Sequence, residues 1–394
     1  MEEPYKILIV DDEPFNVDYL EQELEDLGYD SISASNGQEA LDLVESESPD
    51  MVLLDIMMPV MDGFEVLEKL KANEGWRHIP VVVISAMSDM DSVTKGIEMG
   101  ADDYLPKPFD PLLLAARLRA CLEKKRLYDL EQQYLQGLER ELEIGRGIQA
   151  DFLPQEILQP EGWEIAAFFQ AAREVAGDFY DVFQISENKV GLLLGDVVDK
   201  GVGAALYMAL FRSLLRASFS PAFFVSSSGD HNDSENDHVK LLNRAVALTN
   251  EYICTIHHSA AYATLFFGIL DLHSGELDYI DAGHEPPLVL NHGQVRLTLQ
   301  PSGPGLGIFE DASFEVKSVQ LEEGDILLVY SDGVTDVQNE KGEMFGEENY
   351  LKLLSHTTSS AESLLDHIVL NVGGFVGETS QYDDITLLAV RKVE

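Results

Sequence analysis

Cysteine is nearly absent. Cys121 and Cys254 are the only two in 394 residues, far apart and without the spacing of a thiolate metal site or a disulfide framework. Both are expected as buried, reduced thiols. Basic residues are scarce as well, 26 against 71 acids, for a formal net charge of −45. Residues 1–125 hold 28 acids and 10 bases, so −18 of that charge lies there and −27 in the remainder. A field of this sign repels nucleic acid and anionic membrane surfaces, which argues against a DNA-binding output. No apolar run approaches the ~20 residues of a membrane span, and the N-terminus has no basic stretch followed by an apolar core. A soluble, cytoplasmic protein is expected. A phosphate-cradling P-loop is missing too: in GDVVDKG (195–201) Lys200 follows Asp199, where the loop would need a glycine.

What is present suits a folded chain of two ordinary domains, with 45% apolar and 9% aromatic residues. Residues 6–125 alternate short apolar runs, KILIV (6–10), SISAS (31–35), MVLLD (51–55), VVVIS (81–85) and DYL (103–105), with amphipathic stretches near 14–27, 37–46, 63–73 and 90–99. That alternation predicts a doubly wound α/β domain on a five-stranded parallel sheet, with ligands at the carboxyl ends of the strands. From Pro111 to Leu153 no proline interrupts a Leu-, Glu-, Arg- and Gln-rich stretch, which reads as a final helix running on into a linker. Tyr128, Leu135 and Leu142 recur every seven residues with Leu138 between them, a short seam that predicts a modest dimer helix. Beyond Pro154 come strand patterns such as WEIAAFFQ, KVGLLLGD, YATLFFGILD, DILLVYSD and ITLLAVRK. Helices are expected near 200–218, 238–253, 347–355 and 361–372. Strands and helices grouped this way predict an α+β sandwich of αββα type.

Acids recur at the ends of these strands. Asp11 and Asp12 follow the first strand, Asp55 ends the third, Ser85 ends the fourth and Lys107 follows the fifth. Three carboxylates crowded at one sheet edge repel one another unless a hard divalent cation, best Mg²⁺, lies among them. One carboxylate can then attack a phosphoryl donor while Lys107 neutralises charge and Ser85 donates a hydrogen bond. The motifs VDDE (10–13), LLDIMMPVMDG (53–63), ISA (84–86) and LPKPF (105–109) resemble the response-regulator receiver family over residues 5–125. The resemblance implies Asp55 as phosphoacceptor, Asp11, Asp12 and the Met57 carbonyl as Mg²⁺ ligands, and Ser85 and Tyr104 as switch positions. Lys107 would contact the phosphoryl group, and Lys107–Pro108 is a candidate cis peptide.

A second set lies in the other half: Asp178 in REVAGDFYD, Asp196 in GDVVDKG, Asp332 in YSDGVTD, and Asp383 with Asp384 in QYDDITLL. Each adjoins an apolar strand, so a convergent carboxylate site is expected. Two hard cations held there can activate a water for in-line attack on a phosphoester. The ordered set, with EIGRGIQADFLP (143–154) and DAGHEPPLVL (281–290), resembles the metal-dependent PPM serine/threonine phosphatases in their SpoIIE/RsbU-like branch. That resemblance implies two Mn²⁺ or Mg²⁺ ions held by Asp178, Asp196, the Val197 carbonyl, Asp332 and Asp383. The family's GGD reads AGD here, with Ala176, and its GDVSGKG-like loop reads GDVVDKG; neither change removes a carboxylate. Arg173 is a candidate for orienting the substrate phosphate. His284 is read as part of a structured turn, and His231, His257 and His258 as surface residues.

The expected organisation is a receiver domain over 1–125, a helical linker over 126–153 and a phosphatase domain over 154–394. The expected function is a response regulator phosphorylated by a sensor histidine kinase. Its output would be a serine/threonine phosphatase acting on a phosphorylated anti-anti-sigma (STAS-type) protein, with a homodimer through the linker. Ile148 and Phe152 would pass the signal on to Asp178 and Asp196. The alternative is an idle phosphatase fold that sequesters a partner when the receiver is phosphorylated.

Overall fold

The structure is a computed structural model that describes residues 4–86, 90–219, 237–256, 262–355, 360–377, 379 and 381–393. His231, His257 and His258 lie outside the described residues. Packing divides the chain into two compact units, Met1–Glu139 and Arg140–Glu394.

The first unit winds β1 (Lys6–Val10), α1 (Pro14–Asp26), β2 (Asp30–Ala34), α2 (Gly37–Glu47), β3 (Met51–Asp55), α3 (Gly63–Ala72), β4 (Val81–Ala86), α4 (Met90–Glu98) and β5 (Asp103–Lys107). The sheet order is β2-β1-β3-β4-β5, every pair parallel. Alternate residues serve opposite faces, as strand geometry requires: Leu8 and Val10 pack with α2 and α3 residues, Ile7 and Ile9 with Leu20, Leu114 and Leu118. Helix α3 starts on a capping box between Asp62 and Glu65, which satisfies two otherwise orphaned N–H groups. The Lys107–Pro108 peptide is cis.

Helix α5 (Pro111–Phe152) runs 42 residues without a break. Proline at its first position fits the helix entry, and Asp110 caps it by accepting from the N–H groups of Leu112 and Leu113 at 2.8 and 3.1 Å. Within the expected seam, Tyr128 also has a partner in its own chain. Tyr128 stacks on His78 of its own chain at 4.9 Å between ring centroids, so it is engaged within the protomer. Leu127, Leu130, Tyr134, Leu135 and Leu138 are exposed. Cys121 is buried as expected; Cys254 is half-buried, and both are free.

The second unit stacks two antiparallel sheets face to face. One has the order β13-β10-β9-β8-β7, built from β7 (Phe179–Ser186), β8 (Lys189–Val197), β9 (Ala263–Asp271), β10 (Glu276–Ala282) and β13 (Lys317–Gln320). The other has the order β12-β11-β14-β15-β6, built from β6 (Trp163–Gln170), β11 (Leu288–Asn291), β12 (Gln294–Thr298), β14 (Ile326–Tyr330) and β15 (Ile385–Lys392). Tyr180, Leu192, Phe266, Val329 and Leu388 fill the space between the sheets. Helices α6 (Val202–Ala217) and α7 (Asp237–Ile256) cover the outer face of the first sheet, and α8 (Gly346–Leu354) and α9 (Ala361–Val376) that of the second. The result is the expected αββα sandwich. Strands β11, β12 and β13 were not among those read from the sequence.

One buried acid gives this unit a pH dependence. Asp281 is fully buried; its Oδ1 accepts from the His284 N–H at 2.9 Å, while Oδ2 has no partner. Burial pushes its carboxyl up to about 7. An acid whose folded pKa is raised holds its proton longer when folded, so its ionisation opposes folding. Stability is therefore expected to fall as pH rises from about 4 towards 7. Between pH 5.5 and 8, Asp281→Asn should reduce the loss of unfolding free energy by about 2 kcal/mol relative to the unsubstituted chain. Urea denaturation at the two pH values checks this; an undiminished loss would show that Asp281 is already ionised when folded.

Candidate functional sites

Parallel pairing of β1 with β3 sets Asp11 and Asp12 beside Asp55, the last residue of β3. Their carboxylates lie within 4.8 Å of one another, Asp11 and Asp55 buried and Asp12 exposed. Lys107, the last residue of β5, places Nζ 2.8 Å from Asp11 Oδ2 and 2.6 Å from Asp55 Oδ2. Burial lowers the lysine's pKa, but the hydrogen bonds to Asp11 and Asp55 outweigh it and the net shift is upward. Burial raises the Asp55 carboxyl, with Lys107 opposing. Asn16, which the sequence reading passed over, donates Nδ2–H to both Asp11 oxygens at 3.0 and 3.1 Å and so orients them. The Met57 N–H points to Asp55 Oδ1 at 3.4 Å. Ser85 is buried at the end of β4, its Oγ making no closer bond than 3.5 Å to the Ala86 carbonyl. Tyr104 lies under the Arg117 guanidinium at 5.6 Å. A Cβ on Gly63 would fall 2.2 Å from the Asp55 carbonyl oxygen, so α3 can begin this close to the acids only on glycine.

The second set gathers at one end of the sandwich. Antiparallel β7 and β8 pair Phe179 with Gly195, which brings Asp178 next to Asp196. Antiparallel β14 and β15 pair Tyr330 with Leu387, which brings Asp332 near the segment holding Asp383 and Asp384. Burial first, then the charges of Asp196 and Asp384, hold the Asp178 carboxyl well above its ordinary range. Burial and then Asp332 push Asp196 up to about 7, and burial and then Asp383 raise Asp332. Among the described residues, three carboxylates come within 4.8 Å of one another only at Asp11, Asp12 and Asp55; the second set is looser. Its all-oxygen donors, Asp178 buried and Asp196, Asp332 and Asp383 half-buried, repel one another and fit hard divalent cations. Those of the first set fit Mg²⁺ in the same way. A Cβ on Gly177 would fall 2.8 Å from the Val197 carbonyl, so glycine at that position lets this oxygen lie beside Asp178.

Asp384 and two polar residues that sequence patterns do not single out, Thr386 and Gln149, hold this second site in shape. Asp384, paired in the sequence with Asp383, is buried: its Oδ1 accepts from Ala172 N–H at 2.8 Å and its Oδ2 from Gly177 N–H at 2.7 Å. It therefore fixes the loop that carries Asp178. Thr386, fully buried, donates its hydroxyl to Asp178 Oδ2 at 2.6 Å. Gln149, in the last turn of α5, grips the same loop twice. Its Nε2–H donates to the Ala176 carbonyl at 2.7 Å, and its Oε1 accepts from Ala176 N–H at 2.9 Å. Gln149 is buried while Ile148 is exposed, so the inward residue is not the expected Ile148. The helix turn carries Ile148 about 100° away from the Gln149 face.

Arg173 lines a pocket of about 360 Å³ with Arg146, Gln149, Phe169 and Gln170, and no hydrogen bond ties it to the four carboxylates. His284 is buried with Nδ1 2.8 Å from Thr264 Oγ1, and burial lowers its pKa to about 4, as a structured turn implies. Asp199 has φ +80°, in the left-handed region. It stands where the resembling loop has glycine, and aspartate is one of the few side chains that tolerate this conformation.

Comparison with known proteins agrees with both halves. A family model described as Stage II sporulation protein E matches residues 186–393, and one for the response regulator receiver domain matches residues 7–119. Protein IcfG of Synechocystis sp. is 40% identical over 273 residues, spanning 66% of this chain and 43% of that protein. A probable transcriptional regulator, ycf27 of Porphyridium aerugineum, is 43% identical over 119 residues, spanning 30% of this chain and 48% of that one. The chain thus spans less than half the length of either relative. The SiaA-PP2C domain of Pseudomonas aeruginosa shares the fold, with TM-score 0.54 at 19% identity, over 66% of this chain and 98% of that one. No helix among the described residues is long and apolar enough to cross a membrane.

Proposed function

The chain belongs to the SpoIIE family and carries a response-regulator receiver domain, and from that premise we propose that phosphorylation of Asp55 controls a metal-dependent serine/threonine phosphatase centred on Asp178, Asp196, Asp332 and Asp383. The receiver is assigned to 1–125, the linker to 126–153 and the phosphatase to 154–394. Asp11, Asp12, Asp55 and the Met57 carbonyl would hold Mg²⁺. Asp178, Asp196, the Val197 carbonyl, Asp332 and Asp383 would hold two Mn²⁺ or Mg²⁺ ions. When bound, such ions neutralise phosphoryl oxygens and supply the nucleophile for phosphoester hydrolysis.

The rest falls to the chain's own groups. The Asp55 carboxylate attacks the phosphorus of a donor, the phosphohistidine of a sensor kinase by this reading; the P–N bond breaks, the donor imidazole leaves as neutral histidine, and Asp55 becomes an acyl phosphate. Lys107, already 2.6 Å from Asp55, pairs with the incoming phosphoryl oxygens. Ser85 turns its hydroxyl towards them, and β4, which carries it, pairs through Val83 with Tyr104 on β5. In the second site, Asp384, Thr386 and Gln149 hold Asp178 in place. The substrate is assigned as a phosphorylated anti-anti-sigma (STAS-type) protein. A homodimer paired along the exposed leucines of α5 is part of the reading, and concentration-dependent sedimentation tests it.

One observation carries the coupling: a single unbroken helix leaves the receiver and ends with Gln149 clamped on Ala176, two residues before Asp178. Mn²⁺-dependent release of phosphate from a phosphoserine protein tests the enzymatic reading. Metal-independent binding of that protein without turnover would instead select the idle, sequestering fold.

A further inference from the structure

Lys200 has no task in that scheme, yet among the described residues it is a cation that meets the second acidic set. Its Nζ lies 2.9 Å from Asp383 Oδ2 and donates to the Tyr382 carbonyl at 2.6 Å. The same ammonium sits 4.0 Å from the centroid of the Tyr382 ring. The backbone on either side is in the left-handed region, φ +80° at both Asp199 and Gly201, and this shape aims Lys200 from the β8–α6 loop across to residues 382–383. The charge of Lys200 also lowers the pKa of Asp332 against the larger upward pushes there.

We propose that Lys200 is a tethered counter-cation that competes with the divalent metal for Asp383 and so sets how tightly the second site holds its metal. The proposal rests on the reading of Asp383 as a metal ligand. Asp383 Oδ1 already accepts from the Asp384 N–H at 2.9 Å, so an ion arriving at Asp383 competes with the ammonium for Oδ2. The Tyr382 carbonyl and ring give the displaced ammonium a place to stay, since neither contact needs the carboxylate. Even displaced, a positive charge this close repels a divalent cation. Both effects have the same sign, so removing the ammonium tightens metal binding.

The test is a Mn²⁺ titration of the metal-stripped full chain, following free Mn²⁺ by electron paramagnetic resonance, with Asp12→Asn present throughout to disable the first site. Lys200→Met should lower the Mn²⁺ dissociation constant roughly fivefold, the upper end of what an ion pair of this exposure supplies. Lys200→Arg should stay near the parent value, and raised salt should shrink the difference. Thermal melting checks that each variant folds, and Lys200→Gln replaces Lys200→Met if that protein does not. Unchanged or weaker Mn²⁺ binding in a folded, uncharged variant overturns the proposal alone, provided Asp383→Asn weakens binding. If Asp383→Asn leaves binding intact, the assignment of Asp383 fails and the proposal falls with it.

Discussion

The Asp332→Asn protein is expected to hydrolyse a phosphoserine substrate more than about a hundredfold more slowly, beyond the loss seen when a group merely supporting a metal ligand is changed. Asp332 lies two residues past the end of β14 and stands among carboxyls whose pKa values are raised by burial and by one another. An amide of the same shape keeps the packing but loses the anionic oxygen that a hard cation needs. Chelation of the unsubstituted enzyme by EDTA should give the same loss, and added Mn²⁺ should restore only that sample. Neither cysteine offers a substitute nucleophile: burial raises the Cys121 thiol to about 11, and burial raises Cys254 as well. Steady-state phosphate release measures all of this. Undiminished turnover in Asp332→Asn would move the chemistry elsewhere.

The second large effect concerns Asp55. In the Asp55→Asn protein, labelling by acetyl phosphate or by a phosphorylated histidine kinase is expected to vanish while the melting curve stays close to that of the parent. The carboxylate is buried, set within 4.8 Å of Asp11 and Asp12, and held 2.6 Å from an ammonium that can neutralise an incoming phosphoryl group. Asparagine keeps the shape but has no anionic oxygen to attack phosphorus. Acid-stable, hydroxylamine-sensitive label is the readout. Full labelling of the Asn protein would place the phosphoacceptor at another residue.

Much of this architecture was legible because acids at the ends of apolar strands are conspicuous. Asp11, Asp55, Asp196 and Asp332 each follow or end a run whose burial fixes where the strand stops, and Asp178 directly precedes one. The residues that hold those acids in place were not legible. Asn16 and Gln149 are single polar residues within helical patterns, and Thr386 is an ordinary strand residue; each gains its role only when tertiary packing sets it against a partner. Asp383 and Asp384 could not be ranked from the pair alone. Only the loop from Ala172 to Asp178 shows that Asp384 spends its carboxylate on backbone N–H groups. The heptad marks Tyr128 as a seam residue, and its stacking on His78 is a further, tertiary contact that periodicity does not encode. Strands β11, β12 and β13 are only four or five residues long, and β12 is exposed throughout, which removes the alternation that marks a strand.

Coupling between the two sites is the central claim, and a conformational signal carries no more free energy than the difference between the states it selects. The helix end offers a physical handle in the pair of hydrogen bonds between Gln149 and Ala176. The decisive measurement is the ratio of Mn²⁺-dependent phosphatase rates with and without phosphate on Asp55, in the parent chain and in Gln149→Ala. The ratio should depart clearly from one in the parent and collapse to one in the variant, whatever its basal rate. A ratio of one in the parent, or the same ratio in both proteins, would contradict a signal passing through this helix.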